Sequence, residues 1–134
     1  MIRLKSLAYT SLARPELEPA DLRAIHQAAR HLNALDGITG LLIYNGRQFL
    51  QVIEGAESAI DDLLGRLLAD SRHSELTVED RRFLDDREFP DWAMELVQFR
   101  IGSLKGHSDI VDFLPASLPE TIRVKVAEMA ASQA

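Results

Sequence analysis

Apolar residues recur along this chain at two periods, and each change of period marks a new element. Residues 3–11, RLKSLAYTS, alternate: Leu7, Tyr9 and Ser11 share one side, Leu4, Ser6 and Ala8 the other, which predicts a first strand. LARPELEP reads as a loop punctuated by Pro15 and Pro19, and Pro19 suits the first position of a helix, where its missing N–H costs nothing. The period then becomes helical over residues 20–35, with Leu22, Ile25, Ala29 and Leu32 as the apolar stripe. Ile25, Ala29 and Asn33 fall four apart along one line of that helix, and Asp36-Gly37 stops it.

Alternation returns in ITGLLIY, residues 38–44, and Asn45-Gly46 predicts a two-residue hairpin turn. RQFLQVIEG forms the third strand, with Gln51 on the same side as Phe49 and Ile53. A second helix follows over residues 57–70, turning Ile60, Leu63, Leu64, Leu67 and Leu68 inward. ELTVEDRRFL reads as a fourth strand and WAMELVQF as a fifth. Two short helical patterns close the chain, over residues 108–113 and 119–131. The order β-α-β-β-α-β-β predicts an α+β fold of the ferredoxin-like kind, with one extra strand and both main helices on one face of the sheet, plus C-terminal helices.

At 134 residues with 46% hydrophobic content, the chain is the size of one domain with a real core. No apolar run reaches the length of a membrane span, and MIRLKSLAY is too short and polar for a signal peptide, so a cytoplasmic protein is expected. The absence of cysteine removes disulfides, thiolate nucleophiles and a flavin–cysteine photoadduct. A net charge of −6 argues against nucleic acid, which needs a basic face.

The chemistry-bearing positions each admit two readings. Gln51 in an apolar strand either pairs with backbone or a neighbour, or serves as a deliberately buried amide whose donors and acceptor need defined partners. Tyr9 is either a core tyrosine or the hydroxyl partner of Gln51, able to give up an electron and a proton. Asn33 is either an ordinary residue near a helix end or an amide that recognises a flat heterocycle. Arg66 and Asp70 have the spacing of a surface ion pair, and Trp92 and Met94 that of same-face strand residues competing for one space. Four histidines (His26, His31, His73, His107) show no metal spacing, GITG precedes a strand rather than opening a helix, and no serine stands in a nucleophile elbow, so no enzyme is expected.

Taken together, LAYTS, DLRAIHQAARHLNALDGITGLLIY, FLQVIEG, RLLADSRH and REFPDWAM resemble the BLUF family of flavin-based blue-light sensors. The resemblance covers residues 4–99, and the intervals of 24 residues from Tyr9 to Asn33 and 18 from Asn33 to Gln51 match the family pattern. It implies a noncovalent FAD with its ring between the two main helices; FMN and riboflavin share the ring contacts. It implies that Asn33 bonds the pyrimidine edge of the ring, that Arg66 and Asp70 serve its polar edge, and that Ile25 and Phe49 lie near it. His31 and His73 match more variable positions. Leu32 replaces a residue that is polar in some members, and Ala93 one that is often serine.

The resemblance further implies a photoswitch of Tyr9, Gln51, Trp92 and Met94. Tyr9 would give an electron and a proton toward the excited flavin and recover them, while Gln51 rotates or tautomerises between tyrosine and ring. Exchange of Trp92 and Met94 would then shift the fifth strand. Residues 1–100 would be the photosensory domain and residues 101–134 a helical extension for output or dimer contact, acting on a separate downstream protein, with a homo-oligomer expected. The competing readings are an acylphosphatase-like enzyme, for which TSLARPELEP offers one arginine and no glycine, and a cofactor-free interaction or ligand-sensing module.

Overall fold

A computed structural model describes residues 3–90, 94–98 and 114–131. The elements are β1 (Leu4–Ala13), α1 (Pro19–Leu35), β2 (Thr39–Tyr44), β3 (Gln48–Ala56), α2 (Glu57–Leu68), β4 (His73–Leu84), β5 (Glu95–Gln98) and α3 (Glu120–Ala131). The sheet order is β4-β1-β3-β2-β5, with β5 parallel to β2 and the other pairs antiparallel. This is the expected ferredoxin-like sheet with its extra strand at the β2 edge.

Both faces of the sheet are covered. Leu7, Leu42, Phe49 and Ile53 pack beneath α1 and α2 against Leu22, Ile60 and Leu63. On the other face Leu41, Ile43, Leu50 and Val52 pack against Ile122, Val126 and Met129 of α3, together with Phe89. The strict alternation of β3 therefore feeds two cores at once. Among the described residues no helix is long and apolar enough to cross a membrane.

Several boundaries differ from the sequence pattern for local reasons. Helix α1 starts at Pro19, and the Glu18 N–H donates to Asp21 Oδ2 at 2.9 Å, closing its first turn. It ends as expected, with Asp36 as the cap and Gly37 at φ +69°. The hairpin turn falls one residue later than Asn45-Gly46 predicts. Asn45 N bonds Gln48 O, which leaves Gly46 and Arg47 at the centre, and Gly46 takes the positive φ of +93°. Asn45 Oδ1 fixes this register by accepting from the N–H groups of Arg47 and Gln48. Strands β1 and β4 extend to Ala13 and His73, where they pair with each other. Helix α2 stops at Leu68, so Asp70 lies in the turn beyond it.

Strand β5 begins only at Glu95, because Met94 has a left-handed backbone with φ +57° that no strand accommodates. Met94 is thus not a strand residue. Trp92, Phe99 and the pattern at residues 108–113 lie outside the described residues.

The connection from β4 to β5 is pinned by a fully buried carboxylate on β3. Glu54 accepts from Thr39 Oγ1 at 2.9 Å, from Glu88 N at 2.8 Å and from Phe89 N at 2.6 Å. Arg87 adds bonds to Thr39 Oγ1 and to the carbonyls of Glu54 and Gly37. Gly40 allows β2 to approach β3, since a Cβ there would sit 1.9 Å from the Val52 carbonyl oxygen.

Candidate functional site

Tyr9 and Gln51 are cross-strand partners in the β1–β3 register, so their side chains leave the sheet on the same side. Both are buried. The Tyr9 hydroxyl donates to Gln51 Oε1 at 2.5 Å, and Gln51 Nε2 donates to Met94 Sδ at 3.2 Å. This orientation of the amide follows from its partners. A thioether offers only lone pairs, so the amide's donor end faces Met94 and its acceptor end faces the hydroxyl. Burial, and then the negative charge of Asp70, push the Tyr9 hydroxyl well above its usual range and keep it protonated.

Asn33 projects from α1 beneath the sheet and is 2% exposed, yet neither its Oδ1 nor its Nδ2 has a hydrogen-bond partner among the described residues. A buried amide left in this way costs about 1–3 kcal/mol. It borders a cleft between α1, α2 and the sheet that holds about 760 Å³, its open mouth included. That is the size of a small-molecule site. The floor is Tyr9, Leu42, Phe49 and Gln51; the walls are Ile25, Ala29, Leu32 and Asn33 on one side and Leu63 and Leu67 on the other. Arg66, Asp70, Arg72 and His73 complete the lining.

The structure therefore brings Tyr9, Ile25, Asn33, Phe49, Gln51, Arg66 and Asp70 to one cleft, with Met94 bonded to Gln51. It does not form the Arg66–Asp70 pair that their spacing suggests. Because α2 ends at Leu68, Asp70 has left the helical line, and Arg66 reaches across to Asp36, the cap that follows α1, at 3.3 Å. Asp70 is instead held by Arg72, whose Nε and Nη2 meet its two carboxylate oxygens at 2.9 and 2.6 Å. That bonding holds the Asp70 carboxyl below its usual range. Arg72 went unremarked in the sequence, although a basic residue two positions beyond an acidic helix end was the signal for it.

His73 has a larger part than its position in the sequence suggests. Its Nε2 donates to the Leu67 carbonyl at 2.7 Å, and its Nδ1 lies 2.7 Å from Ser11 Oγ. So held, the ring stands edge-on to Tyr9 and Phe49, with centroids 6.1 and 6.4 Å away. Among the described residues no group of histidine and carboxylate side chains could hold a metal ion.

A family model described as "Sensors of blue-light using FAD" matches residues 4–95. The chain belongs to the BLUF family. The photoactivated adenylate cyclase subunit beta of Euglena gracilis is 34% identical over 92 residues, which are 68% of this chain but 11% of that protein. The chain thus spans about a tenth of the length of the first curated relatives it matches. Among solved structures, the dark state of the BLUF protein BlrB superposes with a TM-score of 0.77 at 39% identity and covers 98% of both chains. A Klebsiella pneumoniae BlrP1 complex with calcium and cyclic diGMP gives a TM-score of 0.80 at 30% identity, over 96% of this chain and 34% of that one.

BLUF domains use FAD, and the residues present fit a flavin. The unpartnered Asn33 amide offers one donor and one acceptor side by side, which complements the alternating imide edge of an isoalloxazine ring. Ile25, Leu63 and Phe49 supply the apolar surfaces that a flat ring needs. Arg66, Asp70 and Arg72 add charged groups to the lining.

Proposed function

We propose that this chain is a blue-light photoreceptor that holds FAD noncovalently in the α1–α2 cleft and signals to a separate protein. The observation that carries this reading is the bonded series Tyr9–Gln51–Met94 on the floor of a cleft whose wall presents the unpartnered Asn33 amide. Asn33, Arg66 and Asp70 bind the polar edge of the ring, while Ile25 and Phe49 pack on it. When bound, the flavin absorbs blue light and provides an electron acceptor beside Tyr9. Tyr9, kept protonated by burial, is the donor of electron and proton. Gln51 is the switch: its two ends have nearly equal shape, so reversal of the amide, or its imidic tautomer, changes the bonding with almost no change in volume. A tyrosine hydroxyl donates or accepts, so Tyr9 pairs with either end of the amide, and reversal gives up the contact with Met94 and frees the hydroxyl proton.

Residues 1–100 carry the sensing function and residues 101–134 the output, including any contact between copies in a homo-oligomer. Packing of α3 on the back of the sheet supports this division of labour, because Leu50 and Val52 flank Gln51 and lie in the α3 core. The chain itself performs no turnover in this reading; Trp92 and Met94 govern the transfer to β5.

The test is a light-minus-dark absorption spectrum of the purified protein beside its Gln51→Ala and Tyr9→Phe variants. Wild type shows a small, reversible red shift of the flavin band; both variants are yellow and lack it. A full shift in either variant overturns the switch assignment. A colourless protein that takes up no flavin favours the cofactor-free ligand-sensing module.

A further inference from the structure

His26 stands on α1 beside Ile25 but outside the cleft lining, and its Nε2 lies 2.9 Å from the backbone carbonyl oxygen of Met94. A carbonyl oxygen only accepts, so Nε2 is protonated and donates. Met94 is fully buried and holds φ +57°, a backbone conformation that side-chain-bearing residues keep only where their surroundings impose it. Its sulfur accepts from Gln51, and β5 starts at the next residue. One residue thus joins the amide of Gln51 to the edge strand, and its main chain is tethered by a side chain of α1.

We infer that His26 is a positioning residue for the switch: by donating to the Met94 carbonyl it holds the turn into β5 in the left-handed conformation that presents Met94 Sδ to Gln51 Nε2. Without that donor the backbone relaxes to an ordinary negative φ, the sulfur leaves the amide, and β5 loses its fixed starting point on β2. The effect of light on this tether rests on the photoreceptor reading above; the tether itself does not.

The 134-residue chain, with and without FAD, is compared with His26→Leu, which removes the donor, and His26→Gln, which restores an amide N–H of similar reach. Amide hydrogen exchange over residues 94–98 in the dark accelerates roughly tenfold in His26→Leu, the equivalent of one lost hydrogen bond. Exchange returns toward wild type in His26→Gln. The emission of Trp92, the only tryptophan, shifts in the leucine variant and not in the glutamine variant. In FAD-loaded protein, dark recovery of the light-minus-dark signal changes severalfold in His26→Leu and is restored in His26→Gln. Unchanged exchange in the leucine variant, or no rescue by glutamine, overturns the proposal. So does a neutral His26 ring protonated at Nδ1 in the wild-type nitrogen NMR spectrum, which needs no variant to fold. A wild type without any light-induced shift removes the photoreceptor reading and leaves the exchange and NMR results to decide on His26.

Discussion

Gln51 Nε2 meets Met94 at its sulfur, 3.2 Å away, so a buried amide donor is satisfied by one of the weakest acceptors in a protein. The other end of the same amide has a short bond to a tyrosine hydroxyl. The two ends are therefore held unequally. Reversing the amide would make the Tyr9 hydroxyl the acceptor, free its own proton, and set Oε1 against the Met94 sulfur, which has no proton to give.

Removing the hydroxyl leaves Gln51 Oε1 buried with no donor. Tyr9→Phe is expected to destabilise the flavin-free protein by about 1 kcal/mol, measured by urea unfolding. The fold persists, because Leu7, Ile53 and the rest of that core are untouched. An unchanged midpoint would mean that the Tyr9–Gln51 bond contributes nothing to stability.

Asn33→Leu has opposite consequences in the two forms of the protein. Flavin-free, the variant loses two unpartnered buried polar atoms and gains apolar contact, so its melting temperature rises. With flavin, it loses the only amide on α1 aimed into the cleft, and FAD affinity falls at least tenfold by fluorescence titration. A parallel fall in both forms would place the Asn33 partner inside the protein.

Two groups make stability depend on pH in opposite directions. Asp70 has its carboxyl lowered chiefly by the bonds from Arg72. The unfolded chain then binds a proton at higher pH than the folded chain does, so stability falls as pH drops below about 4. Asp70→Asn flattens that part of the acid unfolding curve. Tyr9 has its hydroxyl raised chiefly by burial. Above about pH 10 the unfolded tyrosine ionises while folded Tyr9 does not, so stability falls as pH rises. Tyr9→Phe removes this component, and Tyr44, also raised by burial, retains its own.

Glu54→Ala removes the carboxylate that accepts from the part-buried Glu88 N–H and the buried Phe89 N–H. A loss of about 3 kcal/mol is expected by chemical denaturation. Phe89, which Glu54 seats against α3, becomes accessible, so dye binding to exposed apolar surface rises with it.

Most of the sheet and both main helices were legible in the sequence, because each element carries an unambiguous period and a clear stop: Asp36-Gly37 after α1, the Asn45 side chain at the hairpin. Tyr9, Asn33 and Gln51 were legible only as a set. Each has an ordinary explanation alone, and it is their spacing that brings two adjacent strands and one helix to a single cleft. Arg72 was missed because the pairing of Asp70 depends on where α2 ends, and helix ends are fixed by capping rather than by period. The left-handed backbone of Met94 was hidden by the alternation of WAMELVQF, which reads as unbroken strand. The second apolar face was also underread. Residues 101–134 read as an extension outside the sensing domain, and α3 within that extension covers Leu41, Ile43, Leu50 and Val52. Removing the chain from residue 108 onward exposes that face. A milder variant, Val126→Asp in the α3 core, separates loss of output from loss of folding.

Strand β3 turns Gln51 toward the cleft and its immediate neighbours, Leu50 and Val52, toward α3. The two compartments are therefore separated by the thickness of one polypeptide backbone. Whatever strain the amide imposes on its own peptide unit is felt on the far side by the next residue in the chain, with no relay of side chains between. The sheet acts as a shared wall, and a partner that reads α3 reads the other side of the surface that carries Tyr9 and Gln51.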